Sequence, residues 1–205
     1  MPGLALLTAA LVVGLAYLLG SFPTGYLAGR LLKGVDIRQV GDRYMGTKNV
    51  FFQVGPGAAI VVCLVDVAKG MLAVLLAREA TEARSVILGA SLAVVAGHIW
   101  PVYLGFRNGA GAATALGTML ALGPKEVLGV SVLSVIPLAV TRRTDVTCGF
   151  IFALLPLAHW WQGHEVFMMF ANLPVAVLVG LRVYRRELRA TLTKLWSGLR
   201  RPEVE

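Results

Sequence analysis

Two stretches of the chain set glycines among cations in a pattern suited to holding an anion. The first reads Asp36-Ile-Arg-Gln-Val-Gly-Asp-Arg-Tyr-Met-Gly-Thr-Lys-Asn49, with Gly41 and Gly46 among Arg38, Arg43 and Lys48 and with Asn49 at its end. Glycine lets a turn point successive backbone N–H groups at a phosphate, and neighbouring cations neutralise it. The second stretch is Arg107-Asn108-Gly109-Ala-Gly111, where Arg107 supplies the charge beside another glycine turn. The same patterns also suit glycines that only shape loops and cations that only orient the chain, because isolated glycine spacings carry little information.

Three further ionisable residues lie within apolar surroundings. Asp66 and Lys69 are three apart in a long apolar run, so on a helix they share a face and can neutralise each other as a structural ion pair. His98 closes another apolar run; an ionisable group at membrane depth is a functional suspect, although a hydrogen-bonded packing role also fits. His159 and His164 have no partners at metal-ligand spacing and are assigned no role. Cys63 and Cys148 sit in apolar runs, make neither a disulfide framework nor a zinc pattern, and read as small core residues. No metal and no cofactor is expected.

The elements that must carry these residues are membrane helices. Of the 205 residues, 57% are hydrophobic and 15% charged, with mean hydropathy +0.75. A soluble domain carries about 25% charged residues, so lipid is the expected solvent. Seven apolar runs follow one another: Leu4–Leu19, Gly57–Leu76, Ser85–Leu104, Gly111–Leu122, Val127–Val140, Val146–Trp160 and Val166–Tyr184. The fourth and fifth are short against the roughly 20 residues of a span, so they extend into their flanks or the fourth is re-entrant. With no internal repeat and no low-complexity linker, residues 1–205 read as one all-α, polytopic membrane domain with seven transmembrane helices. The stretch before Arg30 has no Lys or Arg and no cleavage site follows it, so no secretory signal peptide is expected.

Charge sets the orientation. Assigning alternate connections to the same side places fifteen Lys and Arg on one face and Arg78, Arg84 and Lys125 on the other, with Lys69 inside a span. Positive loops stay inside, which predicts the N-terminus outside, the C-terminus cytoplasmic and both glycine turns on the cytoplasmic face. The net charge of +8 is therefore a topology signal, not a sign of nucleic-acid binding. In the tail, 181–201, Leu188, Leu192, Leu195 and Leu199 recur at helical spacing among basic residues. That predicts an interfacial amphipathic helix on anionic membrane lipids, with a partner protein as the alternative.

The chain resembles the bacterial acyl-phosphate-dependent glycerol-3-phosphate acyltransferases, the PlsY family, over most of its length. The resemblance rests on Gly20-Ser-Phe-Pro-Thr-Gly-Tyr, on Asp36-Ile-Arg with Gly41, Gly46 and Asn49-Val, and on Asp66-x-x-Lys-Gly70. It continues in Gly97-His-Ile-Trp-Pro, Gly105-Phe-Arg and Gly109-x-Gly-x-Ala-Thr114. It implies a seven-span enzyme of the bacterial inner (plasma) membrane that needs no metal. Its cytoplasmic loops would bind glycerol 3-phosphate and transfer to it the acyl group of an acyl phosphate, making lysophosphatidate for phospholipid synthesis. Arg38, Gly41, Arg43, Gly46, Lys48, Asn49, Arg107, Asn108, Gly109 and Gly111 would then hold substrate phosphate.

The chain also departs from the family pattern. Gly41-Asp-Arg-Tyr44 stands for Gly-Ser-Gly-Asn, Phe52 for an arginine, Ala110 for the lysine of Gly-Gly-Lys-Gly and Asp145 for a serine; Arg186 and Arg189 fall on a His-x-x-Asn. An acyl phosphate is already activated, so transfer needs an aligned hydroxyl and a stabilised leaving phosphate rather than a protein nucleophile. For a base, His98, Asp42 and Asp145 are the candidates, with none preferred. The departures leave as an alternative a catalytically impaired paralogue that binds lipid phosphate or regulates an active partner. The Asp66–Lys69 pair and the basic mouth suggest a small transporter, the weaker alternative because no inverted repeat appears.

Overall fold

The computed structural model describes residues 2–106, 109–161 and 173–181. Among them every regular element is helical. The order is α1 (Pro2–Ser21), α2 (Thr24–Lys33), α3 (Thr47–Gln53), α4 (Pro56–Ala80), α5 (Arg84–Ile99), α6 (Ala112–Leu122), α7 (Pro124–Leu133), α8 (Val135–Thr141) and α9 (Thr144–Trp161), with a last helical stretch at 173–181.

Four stretches are long and apolar enough to cross a membrane: Gly3–Lys33, Pro56–Ala80, Arg84–Leu104 and Pro124–Thr141. They match the first, second, third and fifth apolar runs. Ala112–Leu122 and Val146–Ala158 are shorter apolar helices. Most of the seventh run and the expected amphipathic tail fall outside the described residues. At about 1.5 Å per residue, the 25 residues of α4 are about 37 Å long, enough for a hydrocarbon layer of about 30 Å.

Local chemistry fixes the helix ends. α1 stops before Pro23, which has no N–H to donate and whose ring crowds the preceding turn. The chain then restarts as α2, so Gly20–Arg30, which follows the first apolar run, is largely helical. α2 ends on Gly34 in a left-handed conformation, φ 68°, whose N–H closes on the Arg30 carbonyl. α4 opens with Pro56 in its first turn, where a missing N–H costs nothing. The third run ends earlier than its hydropathy suggests: α5 stops at Ile99, and Val102–Leu104 forms a separate 3-10 turn. The fifth run is interrupted at Ser134, between α7 and α8.

Bare backbone contacts join the helices in pairs. α1 packs along α5 with Gly20 on the Val94 carbonyl and Gly97 on the Tyr17 carbonyl. α4 packs along α6 with Gly70 on the Thr114 carbonyl and Gly117 on the Val67 carbonyl. A methyl group at any of these positions would run into backbone, which is how membrane helices approach closely without a hydrophobic drive between them. The main core lies among α1, α4, α5, α6, α7, α9 and the 173–181 stretch, around Val94, Val95, Ile99, Ala115, Met119 and Val127. A second, smaller core of Ile37, Met45, Val50, Ala59 and Val62 sits under the first loop, with Tyr26 and Leu104 packed against it. That second core makes the loop a folded unit.

Candidate functional site

The first loop is built on Asn49, which lies in the first turn of α3 and is only 3% exposed. Its side-chain amide donates to the carbonyls of Ile37 (2.9 Å), Val40 (3.1 Å) and Tyr44 (2.9 Å), and its Oδ1 accepts the Asp42 N–H at 3.3 Å. Asn49 therefore bonds the loop itself. Gly41, at φ 59°, lies so close to Asn49 Oδ1 that no side chain fits there. Asp42 turns its Oδ1 onto the Tyr44 N–H at 2.9 Å. Arg43 then adopts φ 64°, a conformation that glycine takes freely and arginine does not. Arg43 and Lys48 are exposed.

Arg38 clamps this loop to its neighbours. Its guanidinium donates to both carboxylate oxygens of Asp36, at 3.0 and 2.8 Å, and to the Leu104 carbonyl at 3.3 Å. It also stacks over the Tyr26 ring, 4.8 Å from the centroid. The hydrogen bonds from Arg38 hold the Asp36 carboxyl below the usual carboxylate range, and those same bonds raise Arg38. Arg38 thus joins α2, the first loop and the third loop.

The third loop leaves α5 at Ile99 and returns to it. The Gly109 N–H donates to the Ile99 carbonyl at 3.1 Å. A methyl group at Gly109 would run into the His98 carbonyl, so glycine is required by the close approach. Gly111, at φ 88°, turns the chain into α6. Ala110 meets the first loop: a methyl group built on Gly46 would touch its side chain at 3.5 Å. The two glycine turns therefore adjoin. Arg107 and Asn108, predicted for this turn, lie outside the described residues. Asp145 falls in the first turn of α9.

Beneath the loops lies a buried polar cluster. Asp66 and Lys69 of α4 are 1% and 4% exposed, with Lys69 Nζ 2.9 Å from Asp66 Oδ1. Lys69 also donates to the Phe22 carbonyl, at the break after α1, at 3.1 Å. The Thr24 hydroxyl, at the start of α2, donates to the same Asp66 oxygen. His98 Nδ1 lies 3.6 Å from that oxygen and shares a hydrogen bond of 3.2 Å with the Thr114 hydroxyl of α6. A carboxylate and an ammonium buried this deeply persist only when paired and hydrogen-bonded. Sequence reasoning missed Thr24 and Thr114 as members. Both stand in the stretches that carry the family resemblance, but nothing in their spacing links positions 24, 66, 98 and 114.

An apolar groove of about 650 Å³ runs between α1 and α4, lined by Leu15, Leu19, Phe22, Leu72, Leu76 and Tyr103 among others. Phe22 belongs to both the groove and the cluster, through its ring and its carbonyl respectively. Among the described residues no group of three His, Cys, Asp or Glu is placed to hold a metal ion.

Comparison with known proteins agrees with this architecture. A "Glycerol-3-phosphate acyltransferase" of Synechococcus sp. strain CC9902 is 40% identical over 193 residues, covering 94% of each chain. A protein of the same name from Rubrobacter xylanophilus is 42% identical over 156 residues, 76% of this chain and 78% of its own. The crystal structure of PlsY (YgiH), an integral membrane glycerol 3-phosphate acyltransferase in its glycerol 3-phosphate form, superposes with a TM-score of 0.81. It is 31% identical, and the match covers 91% of this chain and 92% of that one. The family model described as "Glycerol-3-phosphate acyltransferase" matches residues 10–195, and with these relatives it shows that the chain belongs to the glycerol-3-phosphate acyltransferase family of integral membrane proteins.

Proposed function

We infer that this chain transfers the acyl group of an acyl phosphate to glycerol 3-phosphate, giving lysophosphatidate and free phosphate. The observation that carries this reading is the meeting of the two glycine turns, Gly46 beside Ala110, in a chain of this family. Binding there would be an electrostatic task. Arg43 and Lys48 are the exposed cations of the first loop, and Arg107 precedes the third-loop turn. With the backbone amides of the turns, they would neutralise first the substrate phosphates and then the leaving phosphate. The acceptor hydroxyl attacks the acyl carbon, the bond from that carbon to the bridging oxygen breaks, phosphate departs with the electron pair, and the hydroxyl proton passes to the phosphate or to water. No protein nucleophile is needed.

The groove between α1 and α4 supports an acyl-phosphate donor. From Val12 to Phe22 it follows about 15 Å of α1 and ends beside the residues under the loops, so an acyl chain lying in it would present its head group there. Among the base candidates, His98 is buried with Nδ1 engaged by Thr114, and Asp42 already accepts a backbone N–H. The reading includes seven spans in a bacterial plasma membrane, with the N-terminus outside and both loops facing the cytoplasm.

The test is purified protein given an acyl phosphate and labelled glycerol 3-phosphate. Labelled lysophosphatidate, dependent on both substrates, is expected; folded protein that yields none at saturating substrate refutes the reading. A reporter active only outside the plasma membrane should stay silent when fused after Glu205, and activity there would overturn the orientation.

A further inference from the structure

We propose that Asp66 is a positioning residue that sets the two glycine turns relative to each other, and with them the affinity for glycerol 3-phosphate. The proposal rests on the acyltransferase reading above. Its basis is the reach of one carboxylate oxygen. Asp66 Oδ1 takes the Thr24 hydroxyl and the Lys69 ammonium, and faces His98 Nδ1. Through Lys69 it reaches the Phe22 carbonyl; His98 Nδ1, in contact at 3.6 Å, has its hydrogen bond with Thr114.

These contacts fall at the roots of both loops. Phe22 and Thr24 bracket the break from which α2 leads into the first loop, and Gly25 of α2 packs on the Met45 carbonyl within that loop. His98 and Thr114 bracket the third loop: His98 ends α5, its carbonyl abuts Gly109, and Thr114 lies in the first turn of α6. One carboxylate on α4 thus bonds the root of the first loop and touches the root of the third.

A buried ion pair is a poor way to stabilise a fold, because apolar residues of similar volume often do as well or better. What it supplies is directional: the bonds of the pair fix the start of α2 against α4, the contact with His98 sets α5 beside them, and the His98–Thr114 bond ties α5 to α6. A phosphate bridging two turns needs that placement, since a shift of about 1 Å in a binding group can cost about a hundredfold.

The test uses replacements that keep shape and remove one hydroxyl. Thr24→Val and Thr114→Val should each raise the KM for glycerol 3-phosphate at least fivefold. The KM for acyl phosphate and the thermal midpoint should stay close to wild type. Thr24→Ser and Thr114→Ser, which restore the hydroxyl, should return the KM to within about twofold of wild type. A residue that only supports the fold would move the midpoint and both KM values together. Should the valine variants fail to fold, the paired neutral variant Asp66→Asn with Lys69→Met decides, and it should show the same selective rise. An unchanged KM for glycerol 3-phosphate in the folded variants, or serine variants no better than valine, overturns the proposal. A wild-type protein with no transfer at all would instead sink the acyltransferase reading.

Discussion

Replacing Asn49 by Asp should open the first loop while leaving the helices around it closed. The two side chains are nearly the same shape, but Asn49 Nδ2 serves three carbonyls and a carboxylate oxygen has no hydrogen to give. The Asp42 N–H keeps its acceptor in the Asp variant, so the change isolates the three donated bonds. Each buried carbonyl left without a donor costs about 1–3 kcal/mol. The Val40 carbonyl keeps the Arg43 N–H, so two carbonyls, those of Ile37 and Tyr44, lose the bond that matters. At the low end they cost about 2 kcal/mol together, and repulsion between the carboxylate and the carbonyls adds to it. Since about 1.4 kcal/mol is a factor of ten, local opening should become at least about thirtyfold more frequent. Hydrogen exchange reads this directly: the amides of 37–50 should exchange at least about thirtyfold faster, with α4 and α5 unchanged. Asn49→Ala, which adds no charge but also removes the acceptor for Asp42, should be milder. Protection of 37–50 within about threefold of wild type in the Asp variant would refute the reasoning. It would mean that the small core of Ile37, Met45 and Val50 holds the loop by packing alone.

Arg43→Gly removes a non-glycine residue from φ 64° and should stabilise the protein by about 1 kcal/mol, seen as a rise in thermal midpoint of about 2–4 °C; an unchanged or lower midpoint would show that the arginine sits there without strain. Ala110→Lys places a cation where the two turns meet, and should lower the KM for glycerol 3-phosphate about tenfold at low ionic strength, with the gain shrinking as salt is added. A gain that ignores salt, or none, would separate this turn from the phosphate. The Asp36 carboxyl is held below its ordinary value of 3.8 by Arg38, so the stability it contributes is complete above about pH 4 and is lost as pH falls through the lower folded value. Loop protection followed by hydrogen exchange from pH 6 to pH 3 should fall in the wild type and stay flat in Asp36→Asn; parallel profiles would refute the linkage.

Much of this protein is written locally. A membrane solvent follows from apolar runs of span length, because hydropathy sums over neighbours along the chain. Helix ends follow from Pro23, Gly34 and Pro56, because proline and glycine act on the backbone within a few residues. The family resemblance resides in short stretches, and the helices keep those stretches in order. The loops were less legible. Residues 47–53 form a short helix where sequence suggests a turn, and Ser134 divides a run that hydropathy treats as one. The first is settled by the burial of Asn49 and Val50 against the loop core; at the second, Pro137 has no N–H for the Leu133 carbonyl, a local cause that hydropathy does not weigh.

What only the tertiary structure decided is what each polar group faces. Arg38, Arg43 and Lys48 look alike as loop cations, yet Arg38 is bound to Asp36 and to Leu104, 66 residues away, while Arg43 and Lys48 are exposed. Asn49 looks like a ligand-binding amide and bonds carbonyls of its own loop instead. The Asp66–Lys69 spacing suggests a pair on one helix face, but Thr24 lies 42 residues from Asp66, and His98 and Thr114 come from two further helices. Composition and periodicity describe how a segment meets its solvent. A hydrogen bond within about 3 Å depends on where several helices cross, and these helices cross where bare glycines let their backbones touch.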